Sequence, residues 1–162
     1  MPPPHPLYLA WLAEPAADGE RRSRAPLHLT LVPPFAGDEA AVLGALRATA
    51  AGRAPVAAAA TGTARLGARR VPVVLVAPDD GLRDLHDALM DAVGAAGVDL
   101  AHTRHVRDGF TPHVSVRPRE DGPPPIAPGD PLVVDHVALL RRGDGTVVVG
   151  RAPLGVPGPP GR

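Results

Sequence analysis

One four-residue pattern occurs twice, half the chain apart: His28-Leu29-Thr30-Leu31 and His113-Val114-Ser115-Val116. In each, a histidine is followed by an apolar residue, a hydroxyl residue and a second apolar residue. A β-strand sends successive side chains to opposite faces. His28 and Thr30 then share one face while Leu29 and Leu31 take the other, and the same division holds for His113 and Ser115 against Val114 and Val116. If the two strands lie side by side or face each other, four polar groups converge on one spot and their apolar neighbours anchor them to a core. Such a grouping suits a small anionic group.

At 162 residues the chain is long enough to bury one substantial core without staples. It has no cysteine, which removes a disulfide framework and the usual zinc signatures. The 17 basic residues, all arginine, balance 17 acidic ones. A protein that tracks a nucleic-acid backbone carries a basic excess, because each neutralised phosphate adds affinity through counterion release. A long nucleic-acid footprint is therefore not expected, whereas contact with a single terminal phosphate is compatible with this balance. The apolar run after residue 6 is far shorter than the roughly 20 residues that span a bilayer, and no lysine or arginine precedes it. The expectation is a cytoplasmic monomer with no membrane contact.

Taken in order, Leu7–Leu12 reads as a first strand carrying Tyr8 and Trp11. Residues 14–26, with the run Glu20-Arg21-Arg22-Ser23-Arg24, read as a solvated loop, with a phosphate contact as the competing role of the run. The first motif strand covers 27–32 and stops at Pro33-Pro34, since proline cannot donate to a sheet interior. Asp38 is placed as a helix N-cap, and Val42, Leu43, Leu46 and Ala50 recur at helical spacing to about residue 51. Strands are predicted over 55–66 and 71–77. After Asp79-Asp80, the residues Leu82, Leu85, Leu89, Met90 and Val93 define a second helix, with His86 on or beside its apolar stripe as a packed or half-exposed residue and not a ligand. The second motif strand covers 113–117, 119–130 is a Pro/Gly-rich loop, and 132–140 and 146–151 are strands joined through Gly143-Asp144-Gly145.

This order predicts an α+β fold of two similar halves, about 7–78 and 79–151, within one domain over 7–151. Residues 1–6 are expected to be flexible and 152–162 to form a disordered Pro/Gly-rich tail. Short turns join the strands as often as helices do, which favours antiparallel pairing with helices outside.

The two motifs in their contexts, His28-Leu29-Thr30-Leu31 before Val32-Pro33-Pro34-Phe35, and Phe110-Thr111-Pro112 before His113-Val114-Ser115-Val116, resemble the paired signatures of the two-histidine (2H) phosphoesterase superfamily. The nearest resemblance is to its bacterial 2′-5′ RNA ligase-like members, over roughly residues 7–151. The resemblance implies a bilobal, pseudo-duplicated fold with two antiparallel sheets lining a central cleft. It also implies metal-independent chemistry, without a cofactor, on 2′,3′-cyclic phosphates or 2′-5′ phosphodiester bonds of RNA ends or small nucleotides. His28 and His113 match the catalytic histidines, and Thr30 and Ser115 the hydroxyls that hold the phosphate. By the same resemblance His113 activates water and His28 protonates the leaving oxygen, with the roles exchanged in the ligation direction.

The residues support this chemistry on their own terms. Opening a cyclic phosphodiester needs a base for the attacking water and an acid for the departing oxygen. Histidine, with an unperturbed pKa of about 6.5, serves as either near neutral pH. Thr30 and Ser115 offer donors to the non-bridging oxygens, where charge develops. Arg117 shares a strand face with His113 and Ser115 and is a candidate phosphate contact, although some relatives place their arginine one residue later, where Pro118 stands here. Phe35, Phe110 and Tyr8 are expected first to pack in the core, with stacking of a base as the competing role for each. Two other classes compete: a metal site built from His102, His105 and His113, and a non-catalytic nucleotide or RNA-end binding module on the same fold.

Overall fold

The apolar run Leu7–Leu12 forms a strand, β1, that is buried at every position, so both of its faces are covered. On one face Leu7, Leu9 and Trp11 join a large core. On the other, Tyr8, Ala10 and Leu12 pack with Ala138, Leu140 and Val148 in a smaller one. This division runs through the whole molecule. The computed structural model describes residues 5–101, 103–116 and 126–155. After β1 come β2 (Arg21–Arg22), β3 (His28–Phe35), α1 (Glu39–Ala51), β4 (Val56–Leu66), β5 (Val71–Val76) and α2 (Asp80–Ala95). A single 3-10 turn (Arg107–Gly109) then leads to β6 (His113–Ser115), β7 (Pro131–Val134), β8 (His136–Gly143) and β9 (Gly145–Pro153). The strands pair antiparallel in the order β2-β9-β8-β1-β3-β6-β5-β4-β7.

Both helices cover the face of the sheet that carries the larger core. Asp38 caps α1 by accepting the Ala41 N–H at 2.9 Å, and Asp79 caps α2 by accepting the Leu82 N–H at 3.0 Å. Each cap satisfies one of the orphan donors of a first helical turn. Leu82, Leu85, Leu89, Met90 and Val93 are all buried, as the periodicity of α2 predicts, and burial of each such side chain contributes roughly 1.5–3 kcal/mol. His86 is buried with them at 1 % exposure, deeper than a position beside the stripe implies. No helix among the described residues is long and apolar enough to cross a membrane.

The antiparallel α+β architecture agrees with the sequence reading, and five details differ. The two sheets expected to line a cleft are joined into one series of nine strands, because β3 and β6 pair directly. Strand β3 runs through Pro33-Pro34 to Phe35. The prolines are tolerated because they lie in a register shift against β1, between the pairs Leu9↔Val32 and Leu7↔Phe35, and bulges accept proline where a regular ladder does not. The strand expected over 132–140 breaks at Asp135, and β7 and β8 go to distant places in the sheet, β7 beside β4 and β8 between β1 and β9. Within the loop expected over 14–26, Arg21–Arg22 pairs with Val147 and Thr146. At the other end β9 continues past Arg151, pairing Ala152 with Val137 and Pro153 with His136. The rest of the expected tail from residue 156, and residues 1–4, lie outside the described residues.

Candidate active site

The two motif strands are neighbours at the centre of the sheet, with Leu29 opposite Val114. Both of these residues are buried under the helices. Strand parity therefore turns His28, Thr30, His113 and Ser115 to the opposite, helix-free face. The same register sets His28 across from Ser115 and Thr30 across from His113, so the two histidines are diagonal neighbours. Diagonal positions on such a ladder are about 7–8 Å apart, which leaves room for one phosphate between the rings. A cavity of about 330 Å³ opens beside them, lined by Arg24, Ala25, Pro26, Leu27, His28 and Ser115.

The two imidazoles are held in the same way. His28 Nδ1 lies 2.7 Å from the Pro26 carbonyl, and His113 Nδ1 lies 2.7 Å from the Thr111 carbonyl. A carbonyl oxygen only accepts, so each Nδ1 carries a proton and donates it. In the neutral ring Nε2 is then the basic nitrogen, and in the imidazolium it is the nitrogen with a proton to give. Thr30 is half-buried and Ser115 exposed on the same face. Tyr8 of β1 lies with its ring centroid 5.5 Å from that of His28, tilted by 47°.

Not every candidate from the sequence reaches this spot. Phe35 and Phe110 are each only 6 % exposed and belong to the helix-side core, so core packing replaces the base-stacking role considered for them. Phe110 instead stacks on His86, centroids 4.1 Å apart and planes 3° from parallel. Tyr8 is on the correct face but 1 % exposed, so its ring forms part of the floor and does not stand open for a base. Arg117 lies outside the described residues, as does His102 of the alternative metal site. His105 is exposed, and no group of three His, Cys, Asp or Glu among the described residues is placed to share an ion. His86 is committed to structure. Its Nδ1 donates to the Leu31 carbonyl at 2.6 Å and its Nε2 accepts the Arg107 N–H at 2.8 Å. Burial holds its pKa below the usual value, against the opposing pull of the Leu31 carbonyl.

Two residues that the sequence reading assigned no firm part belong to the site's surroundings. Arg24, counted in a solvated charge run, lines the cavity with His28 and Ser115. Arg142 lies with its guanidinium carbon 5.2 Å from the centre of the Tyr8 ring. For Arg142 the available signal is parity, since it follows Ala138 and Leu140 on one face of a strand. Arg24 has no periodic signal, because it sits in a loop whose path only tertiary structure sets. A larger hollow, about 1170 Å³, opens around residues of α1 and α2, including Arg53, Asp84 and Asp91, and holds none of the motif residues.

A family model of the 2′-5′ RNA ligase superfamily matches residues 3–146. Among solved structures, the fold is similar to a phosphoesterase at 19 % identity, covering 94 % of this chain and 99 % of the other with a TM-score of 0.61. It is similar also to TT0787 of Thermus thermophilus, at 21 % identity, 92 % and 97 % coverage and a TM-score of 0.60. Escherichia coli LigT complexed with 3′-AMP matches at 20 % identity, 93 % and 98 % coverage and a TM-score of 0.59. No curated protein matches. With the family model spanning most of the chain and both histidine motifs inside the match, the chain belongs to the 2′-5′ RNA ligase superfamily.

Proposed function

We propose that the protein is a phosphoesterase that opens 2′,3′-cyclic phosphates or cleaves 2′-5′ phosphodiester bonds of RNA ends or small nucleotides, with His28 and His113 as its acid–base pair and no metal in the chemical step. The observation that carries this reading is the matched pair of Nδ1–H donations to the Pro26 and Thr111 carbonyls, on adjacent strands and on one face. Fixing Nδ1 as donor assigns proton transfer at both rings to Nε2. In the hydrolytic direction, neutral His113 takes a proton from water as the water oxygen bonds to phosphorus. Protonated His28 gives its Nε2 proton to the ribose oxygen as the bond from that oxygen to phosphorus breaks. Thr30 and Ser115 donate to the non-bridging oxygens, where preorganised donors stabilise developing charge. When a ribose 5′-hydroxyl takes the place of water, the same base and acid join it to phosphorus and release the 3′ oxygen, giving a 2′-5′ bond; in the reverse of that step the roles exchange, the 3′-hydroxyl attacks, and the 2′-5′ bond breaks to the cyclic phosphate and the 5′-hydroxyl. A nucleotide substrate is supported by the similar LigT structures, complexed with 3′-AMP, ATP and NADP+.

The test is turnover of a panel of nucleoside 2′,3′-cyclic phosphates by the full chain from pH 5 to 9, with EDTA present, beside His28→Ala and His113→Ala. The expected result is chelator-resistant conversion to one monophosphate isomer, bell-shaped in pH and lost in both variants. Tight binding of the product monophosphate without turnover above the variants, on these substrates and on 2′-5′ linked oligonucleotides, favours the non-catalytic binding module.

A further inference from the structure

The helix-free face of the sheet continues past His28 toward β8. Consecutive arginines on that strand go to opposite faces. Arg141 points to the helices, where it pairs with Glu39 of α1 at 2.5 Å. Arg142 shares the face of Ala138, Leu140 and Tyr8, is exposed, and makes no ion pair with a carboxylate among the described residues. Its guanidinium rests over the Tyr8 ring, and Tyr8 in turn lies against His28. The row His28, Tyr8, Arg142 thus runs from the reacting centre to a fixed positive charge within about 11 Å of the imidazole. An aromatic face holds a guanidinium by cation–π attraction while leaving its N–H edge open to an acceptor. The Tyr8 hydroxyl is buried beside Thr146 and Arg142 without a hydrogen bond of ordinary geometry to either. Buried polar groups left in that state are rare.

We propose that Arg142, seated on Tyr8, is a second anion-binding group, so that the preferred substrate carries another phosphate one ribose away from the phosphate that reacts. The proposal rests on the two-histidine reading above, because it takes His28 as the place of the first phosphate. The chemical class is a nucleotide bearing phosphate on both sides of its sugar, as the terminal nucleotide of an RNA strand does. The planar fork of arginine matches a phosphate with two parallel N–H donations.

The test is calorimetric titration of the full chain with adenosine 3′-monophosphate and with adenosine 3′,5′-bisphosphate. Wild type is expected to bind the bisphosphate about ten- to a hundred-fold more tightly, the value of a charged hydrogen bond. In Arg142→Gln that ratio is expected to fall to near one. A ratio near one in wild type overturns the proposal. So does a ratio retained in Arg142→Gln, loss of the preference in Arg24→Gln instead, or failure to bind either nucleotide. Hydrolysis of 2′,3′-cyclic AMP by the same preparation separates this outcome from its parent. Turnover with a ratio of one removes only the second subsite, and a retained preference without turnover removes only the catalytic reading.

Discussion

A neutral imidazole has one nitrogen with a proton and one without, and the carbonyls of Pro26 and Thr111 decide which is which for His28 and His113. In an acid–base pair of this kind, replacing either histidine by alanine is expected to lower kcat by about 10²–10⁴. The double variant should lose little more than the worse single one, because the two act as a unit. Rates of the three variants check this, and additive losses would show that the rings work separately. Tyr8 carries a different residue-scale expectation. Burial raises the pKa of its hydroxyl, with the Arg142 charge and then polar contacts from Thr146 and Arg142 pulling the other way, and none of these contacts reaches ordinary hydrogen-bond geometry. Removing an orphan hydroxyl relieves its desolvation cost, so Tyr8→Phe is expected to stabilise the fold by about 1 kcal/mol in urea unfolding. A loss of stability would mean that the hydroxyl has a bridging partner such as a water.

At the scale of elements, α2 is joined to the motif strand by a histidine. His86 links its helix to the Leu31 carbonyl of β3 and to the Arg107 N–H of the 3-10 turn, while the Arg107 guanidinium binds Asp87 at 3.2 Å and Asp91 at 2.7 Å. Protonation would put a donor where Nε2 now accepts. Consistent with that, the folded pKa lies below the unfolded value of about 6.5. The neutral ring therefore contributes stability that is present above about pH 6.5 and is lost as pH falls from there through the folded pKa. Urea unfolding at pH 7.5 and 5.5 should show wild type losing more stability than His86→Gln over this interval, and equal losses would assign the pH dependence elsewhere. The helices themselves were readable in the sequence, because Asp38, Asp79 and the 3-4 spacing of leucines act locally. The break at Asp135 was not, because apolar residues run almost unbroken on either side of it and period-two patterning does not say which neighbour a strand will find. That choice is made by tertiary packing: Asp135 accepts the Trp11 indole N–H at 3.4 Å and the His136 Nδ1 proton at 2.7 Å, turning the chain from one region of the sheet to another. Phe35 and Phe110 were legible as core from their apolar character, while their position beside the motifs left base stacking open as the competing role, since flanking position alone does not fix the direction of a ring.

For the whole molecule, the decisive contact is the pairing of β3 with β6, because each half of the chain supplies one motif histidine and this pairing brings the two halves of the candidate site together. The doubled motif made this convergence legible without its means, as paired strands in one sheet and facing strands in two fit the same four residues. The structure resolves it through Leu29 opposite Val114, in a strand β6 of only three residues whose other edge is held by β5, with Val74 opposite Val114. Val114 is thus a shared core residue and the hinge of the site's geometry. Truncation in Val114→Ala removes two buried carbons and is expected to cost about 1.5–3 kcal/mol in urea unfolding, with the fold retained at low temperature. If the strand pairing positions the rings, the loosened β6 should also lower kcat at a temperature where the variant is fully folded, since an ångström of misplacement is enough to cost about 10²-fold. Leu89→Ala in α2 supplies the comparison: it is expected to destabilise by about 2–5 kcal/mol, through the helix-side core alone, with kcat unchanged while folded. Equal effects of the two variants on kcat would mean that the histidines are set by their own carbonyl contacts, with the β3–β6 register contributing only stability.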